Sequence, residues 1–146
     1  MDEQTIYEYA GGADAFRRLA EAHYRRCLTD PVLSQVFGTD GRPDHAEHLA
    51  AWLSEVFGGP DMYTREYGGH GALLRHHANR SITEPMRLRF IEAFEESADE
   101  VGLPDDERFR KRIHEYLEWG TRIAVAVSQP GVDVTTDQPV PRWGWS

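Results

Sequence analysis

The sequence predicts an all-α domain, and three observations predict it. Apolar residues recur at helical spacing in four long segments. Gly, Pro or Asp-Pro breakers separate those segments. No internal repeat, low-complexity block or linker divides the 146 residues, a length that fits one domain.

The first long helix runs from about Ala13 to Leu28. Phe16, Leu19, Ala20, His23, Tyr24, Cys27 and Leu28 form its apolar stripe, and Arg17, Arg18, Glu21, Arg25 and Arg26 form the other face. Asp30-Pro31 stops it, because a residue before Pro avoids the helical region. A short turn or helix over Val32–Phe37 follows, and then a breaker-rich loop, GTDGRP. The second long helix starts near Asp44, an N-cap residue type, and ends before Gly58-Gly59-Pro60. Its stripe is His45, Leu49, Trp52, Leu53 and Val56.

The segment DMYTREYGG reads as a polar connection, and a short helix from His70 to Ala78 carries Leu73, Leu74 and His77. The third long helix starts near Thr83, with Pro85 in its first turn, where a missing N–H costs nothing. Met86, Phe90, Ile91, Phe94, Ala98 and Val101 form its core face. The last runs from about Pro104 to Ser128 on Phe109, Ile113, Tyr116, Leu117, Ile123, Ala124 and Val127. The remainder, QPGVDVTTDQPVPRWGWS, has no period and reads as an extended tail. Its Trp143 and Trp145 either pack back on the body or await a partner.

Composition narrows the partners. A net charge of -9 argues against nucleic acid, since phosphate binding wants a basic surface. No apolar run reaches the roughly 20 residues that span a bilayer. The acidic start, MDEQTIYEYA, lacks the basic and apolar regions of a secretory signal. Cys27 is the only cysteine, so no internal disulfide forms, and a cytoplasmic home is expected. Its place on the apolar stripe makes it a buried, inert thiol, despite the neighbouring arginines.

The chemical signal lies in seven histidines. His45 and His48 sit one turn apart on one helix face and could join His76 or His77 around a metal ion. No Cys cluster, HExxH or Glu-x-x-His pair supports that site, so a solvated His48 and a His45 facing a core or cleft is the plainer reading. His77 lies beside Leu73 and Leu74, where an imidazole either rests in the core or ligates a haem iron. Tyr24 alone is a core tyrosine. The chain has no GxSxG, no P-loop and no GxGxxG after a strand.

Several pieces together resemble the truncated haemoglobins of group II. They are YEYAGGADAF with Gly11-Gly12, HYRRCLTDPVLSQVF with Tyr24 and Phe37, WLSEVFGGP leading to Tyr63, and GHGALLRHHANRSIT with His77. Each piece is weak alone; their order and spacing are specific. The resemblance covers about Tyr7 to Ser128. It implies a truncated globin fold, a helical sandwich enclosing haem b, with residues 1–128 as the globin domain and 129–146 as the tail.

The same resemblance implies the roles. His77 matches the proximal iron ligand, with His76 as its competitor. Tyr24 matches the distal tyrosine whose O–H donates to bound dioxygen. Phe37 matches the aromatic wedged against the ring, His45 and Leu49 match distal positions, and Trp52 matches a pocket aromatic. Leu73 and Ile82 are expected to line the haem. Tyr63, His70, Arg75 and His76 are expected to meet its propionates. Phe90 stands where group II members usually carry Trp, so an indole donor is lost. His45 replaces that donor, or coordinates the iron itself.

Three functions are open at this point. The first is a protein that binds O2, NO or CO, with O2-dependent NO oxidation. That chemistry needs a separate reductase, because the chain has no flavin or nicotinamide motif. The second is a peroxidase-type enzyme with His45 as distal acid–base group. The third is a haem-free interaction module with the Trp tail as its contact. A homo-oligomer is compatible with the family.

Overall fold

The computed structural model describes residues 3–134, 136 and 138–146. Residues 135 and 137 of the tail lie outside the described residues. The described elements are α1 (Ile6–Ala10), α2 (Gly12–Thr29), α3 (Ser34–Phe37), α4 (His45–Val56), α5 (Met62–Glu66), α6 (Gly69–His77), α7 (Glu84–Glu100) and α8 (Glu107–Val127). No strand occurs among the described residues.

Helix α1 falls outside the periodic segments. Five residues are too few to display a 3.6-residue period, and its signal is a cap instead. The Thr5 hydroxyl accepts from the Glu8 N–H at 3.0 Å, and the Glu8 carboxylate accepts from the Thr5 N–H at 3.1 Å. This is a reciprocal Thr-x-x-Glu box. Gly11, at φ 120°, then turns the chain into α2 through backbone space that L side chains rarely adopt.

Helix α2 buries Phe16, Leu19, Ala20, His23, Tyr24 and Cys27, the expected stripe without its end at Leu28. It stops at Asp30, whose carboxylate accepts from the Val32 and Leu33 N–H groups. Arg89 of α7 also donates to it at 2.6 Å, which holds the Asp30 carboxyl below the usual range.

Three expectations need correction. Asp44 precedes α4 but makes no side-chain cap bond. Its backbone is already helical, and capping needs an extended residue whose side chain can fold back. The expected polar connection after Pro60 contains α5, because Tyr63 is drawn inside (3% exposed) and Glu55 accepts from the Thr64 N–H at 2.9 Å. Helix α8 begins at Glu107 rather than Pro104, because Asp106 accepts from the Phe109 N–H at 3.1 Å and caps it there.

Helix α2 packs on both α4 and α7, α7 packs on α8, and α6 packs on α8. Phe16, Phe57, Phe94 and Phe109 are the largest side chains sealed in the interior. Each contributes about 1.5–3 kcal/mol by leaving water. The tail lies on the body: Val140 is buried, and the Trp143 N–H donates to the Val56 carbonyl at 2.7 Å.

Candidate functional site

Two adjoining cavities, of about 250 and 120 Å³, open between α4 on one side and α6, α7 and α8 on the other. They share Leu49, Trp52, Leu73, His77 and Phe90. Tyr24, Phe37, His45, Tyr63, His76 and Ile82 line the larger cavity, and His70 lines the smaller. The residues singled out in the sequence thus converge on one space, apart from Arg75, which is exposed and lines neither cavity.

His77 ends α6 with its ring in both cavities. Its Nδ1 lies 2.8 Å from the Leu73 carbonyl one turn back, a contact that requires the Nδ1–H tautomer. Nε2 then carries a lone pair. Burial depresses the pKa of this imidazole, with the Leu73 carbonyl acting in the other direction. His76 is exposed at the rim, and it too is depressed, by partial burial and then by Arg42, His48 and Arg80.

The turn after His77 is fixed by Ser128, the residue that caps the end of α8. Asn79 and Ser81 have φ of 61° and 51°, uncommon for residues with a Cβ. Buried Ser128 holds this strained backbone. It accepts from the Ser81 N–H at its carbonyl and from the Ile82 N–H at its hydroxyl, both at 2.9 Å. Ile82 is thereby held in the cavity wall.

Across the larger cavity, the Tyr24 oxygen accepts from the Arg42 N–H at 2.8 Å. Its own proton remains to be donated. His45 stacks on Tyr24, and Phe37 meets both rings edge-on. Burial, then the charges of Arg42 and His48, push the His45 pKa down to about 4, so this imidazole is neutral at neutral pH.

Phe90 lies parallel to Phe37 at 6.3 Å and takes the edge of His23 at 4.4 Å. His23 is 1% exposed, and burial pushes its pKa down to about 3. Its Nε2 lies 3.5 Å from Cys27 Sγ, and its Nδ1 has no protein partner of normal geometry. Trp52 turns its indole N–H away, donating to the Tyr116 hydroxyl at 2.8 Å. It therefore supplies no replacement for the donor that Phe90 lacks.

Two arginines, Arg42 and Arg80, stand at the mouth although the chain is acidic. Arg42, His48, His76 and Arg80 all line the larger cavity, and Arg80 Nε donates to the His76 carbonyl at 2.5 Å. Buried Arg87 also reaches this cavity, paired with Glu84 at 2.5 Å and Glu118 at 2.9 Å. Sequence reading missed Arg42, Arg87, His23 and Ser128 as site residues. Arg42 sits in a loop marked only by its breakers, and His23 looks like any apolar-stripe residue. Among the described residues no group of three or more His, Cys, Asp or Glu is placed to hold a metal ion, so the His45–His48 pair does not assemble an all-protein site with His76 or His77.

The family model for bacterial-like globins matches residues 5–122. The chain is 30% identical over 81 residues to the group 1 truncated hemoglobin GlbN of Nostoc commune, a match that covers 56% of this chain and 64% of the relative. It therefore spans less than two thirds of that relative's length. It is 28% identical over 97 residues to the group 2 truncated hemoglobin YjbI of Bacillus subtilis (strain 168), covering 66% of this chain and 72% of the relative. The solved structure of the group II truncated hemoglobin of Bacillus anthracis superposes with a TM-score of 0.77 at 25% identity, over 90% of this chain and 97% of that one. That solved structure is similar in shape to the fold described above. The chain belongs to the bacterial-like globin family, among the truncated haemoglobins.

Proposed function

We propose that the joined cavities hold haem b and that the protein binds O2, and other diatomic ligands such as NO or CO, at its iron. One observation carries this reading. His77 presents a neutral ring with a free Nε2 lone pair to the same cavity into which Tyr24 can donate a proton.

The residues present fit the group. The walls are apolar and aromatic where a porphyrin needs contact: Leu49, Leu73, Ile82, Phe37 and Phe90. The mouth offers Arg42, His48, His76 and Arg80 to the propionates, with Tyr63 inside it and His70 in the smaller cavity. When bound, haem supplies an iron with a sixth position for a diatomic ligand.

The chain's own residues do the rest. The Leu73 carbonyl fixes the His77 tautomer and ring orientation and raises the basicity of Nε2. Tyr24, anchored by the Arg42 amide, keeps its O–H for a ligand that carries partial negative charge. Phe37 and Phe90 keep the space dry, which strengthens that hydrogen bond.

O2-dependent NO oxidation is the finer reading, and it requires a separate reductase as electron donor. The peroxidase-type alternative asks His45 to act as a base near neutrality. A pKa near 4 makes it a weak one. The haem-free interaction module needs the Trp tail as its contact, and those rings are already engaged by the body. No helix among the described residues is long and apolar enough to cross a membrane. A single buried cysteine suits a reducing, cytoplasmic setting.

The test is an optical spectrum, ferric and then ferrous, before and after carbon monoxide. A Soret band that shifts on CO is the expected result. Absence of a Soret band after haem is supplied overturns the reading.

A further inference from the structure

The C-terminal segment is fastened to three parts of the body: the stretch ahead of α1, the end of α4, and α8. The Trp143 N–H donates to Val56 at the end of α4. The Trp145 indole donates to the Gln4 carbonyl ahead of α1 at 2.7 Å. Arg112 of α8 donates to the Gly144 carbonyl at 2.6 Å, and its guanidinium lies 4.2 Å from the centre of the Trp143 ring. Arg142 approaches Glu55 at 3.8 Å, supplying a cation to a carboxylate that is only 2% exposed.

This segment also reaches the site. The Thr136 carbonyl crosses α6 at Gly71, where an added Cβ would sit 3.3 Å from it. A side chain there would press the tail outward by a few tenths of an ångström. Pro141 lines the smaller cavity, beside Trp119 and Ile123. Trp143 packs edge-on against Tyr116 at 5.4 Å, and Tyr116 is the acceptor that fixes the Trp52 indole. A chain of contacts thus runs from the tail through Tyr116 to the cavity wall.

We propose that the C-terminal segment is the outer wall of the cofactor pocket: Pro141 closes the smaller cavity, and Trp143, through Tyr116, positions Trp52. The segment retains the haem and is in turn held by it. This inference rests on the haem reading above. Closure by a strap fastened at both flanks makes cofactor escape depend on peeling the strap. Two states linked in this way must bias each other equally.

The experiment compares haem transfer to excess apomyoglobin from the wild type, from a chain ending at Gln138, and from Trp143→Ala. Both variants are expected to lose haem at least about tenfold faster, as a weakened closed state implies. A second measurement needs no variant. The amide hydrogen of Trp143 is expected to exchange at least about fivefold more slowly with haem bound than without it. The indole N–H of Trp52, bonded to Tyr116, is expected to exchange with solvent faster in Trp143→Ala, which simple loss of chain-end stability would not produce. Transfer rates equal to the wild type, or Trp143 exchange indifferent to haem, overturn the inference while leaving the Soret band and the haem reading intact. A wild type with no Soret band overturns both.

Discussion

The imidazole of His45 lies nearly parallel to the phenol of Tyr24, with ring centres 4.2 Å apart and planes 20° apart. The Arg42 amide holds the Tyr24 oxygen from outside. Moving either ring therefore disturbs the other, and the two polar groups on this side of the cavity act as a unit.

Tyr24→Phe keeps the ring and removes the donor. Release of O2 is expected to quicken by about tenfold, which corresponds to about 1.4 kcal/mol for one polar hydrogen bond. Stopped-flow displacement of O2 by CO measures it. An unchanged rate would transfer the role to His45.

His45 is held in its stack on Tyr24. The ferrous protein without CO is therefore expected to be five-coordinate, and His45→Ala should leave that spectrum as it is. A six-coordinate spectrum that His45→Ala abolishes would show that the imidazole does leave the stack.

His77→Ala should abolish stable haem retention, because no other imidazole combines a fixed tautomer with a place in both cavities. Haem content per chain after gel filtration is the readout. Five-coordinate haem held by another histidine, with His76 the first suspect, would overturn the assignment.

Acid sensitivity follows from His23 and His45, whose folded pKa values are pushed from 6.5 to about 3 and about 4. Below about pH 6.5 the unfolded chain takes up protons that the folded chain refuses. Apoprotein stability should therefore fall as pH drops from about 6.5 toward 4 and below, and be unaffected by these groups above that window. His23→Phe should shrink the difference between urea midpoints taken at about pH 7 and about pH 4.5. An identical difference in both proteins would remove His23 from the account.

Trp52→Phe strips the buried Tyr116 hydroxyl of its donor. A cost of about 1–3 kcal/mol is expected in urea unfolding, since a buried polar group is left unpaired. Adding Tyr116→Phe should recover part of that loss, because the orphaned hydroxyl then goes too.

The long helices were legible because each buries one face over several turns. The stripe of α2 needed only its end trimmed at Leu28. Helices α1 and α5 were hidden by length: a Thr5–Glu8 cap and one buried Tyr63 organise them, and neither makes a period. Asp44 misled because residue type suggests a cap while backbone conformation decides it. Family resemblance supplied Tyr24, His45 and His77 as a set. It could not supply Arg42, Ser128 or the Phe90–His23 contact, because loops and side-chain packing bring these in from distant parts of the chain.

Cys27 gives this fold a built-in clock. Its thiol is sealed between α2 and its neighbours and pushed up to about 12 by burial, so the native state offers almost no thiolate. No other cysteine competes for a label. Any modification by a thiol reagent must wait for α2 to part from the body beside the distal wall. The labelling rate of the unaltered chain therefore reports the population of those openings when reclosing outpaces the reagent, and comparing it with and without a ligand weighs how firmly the ligand keeps them shut.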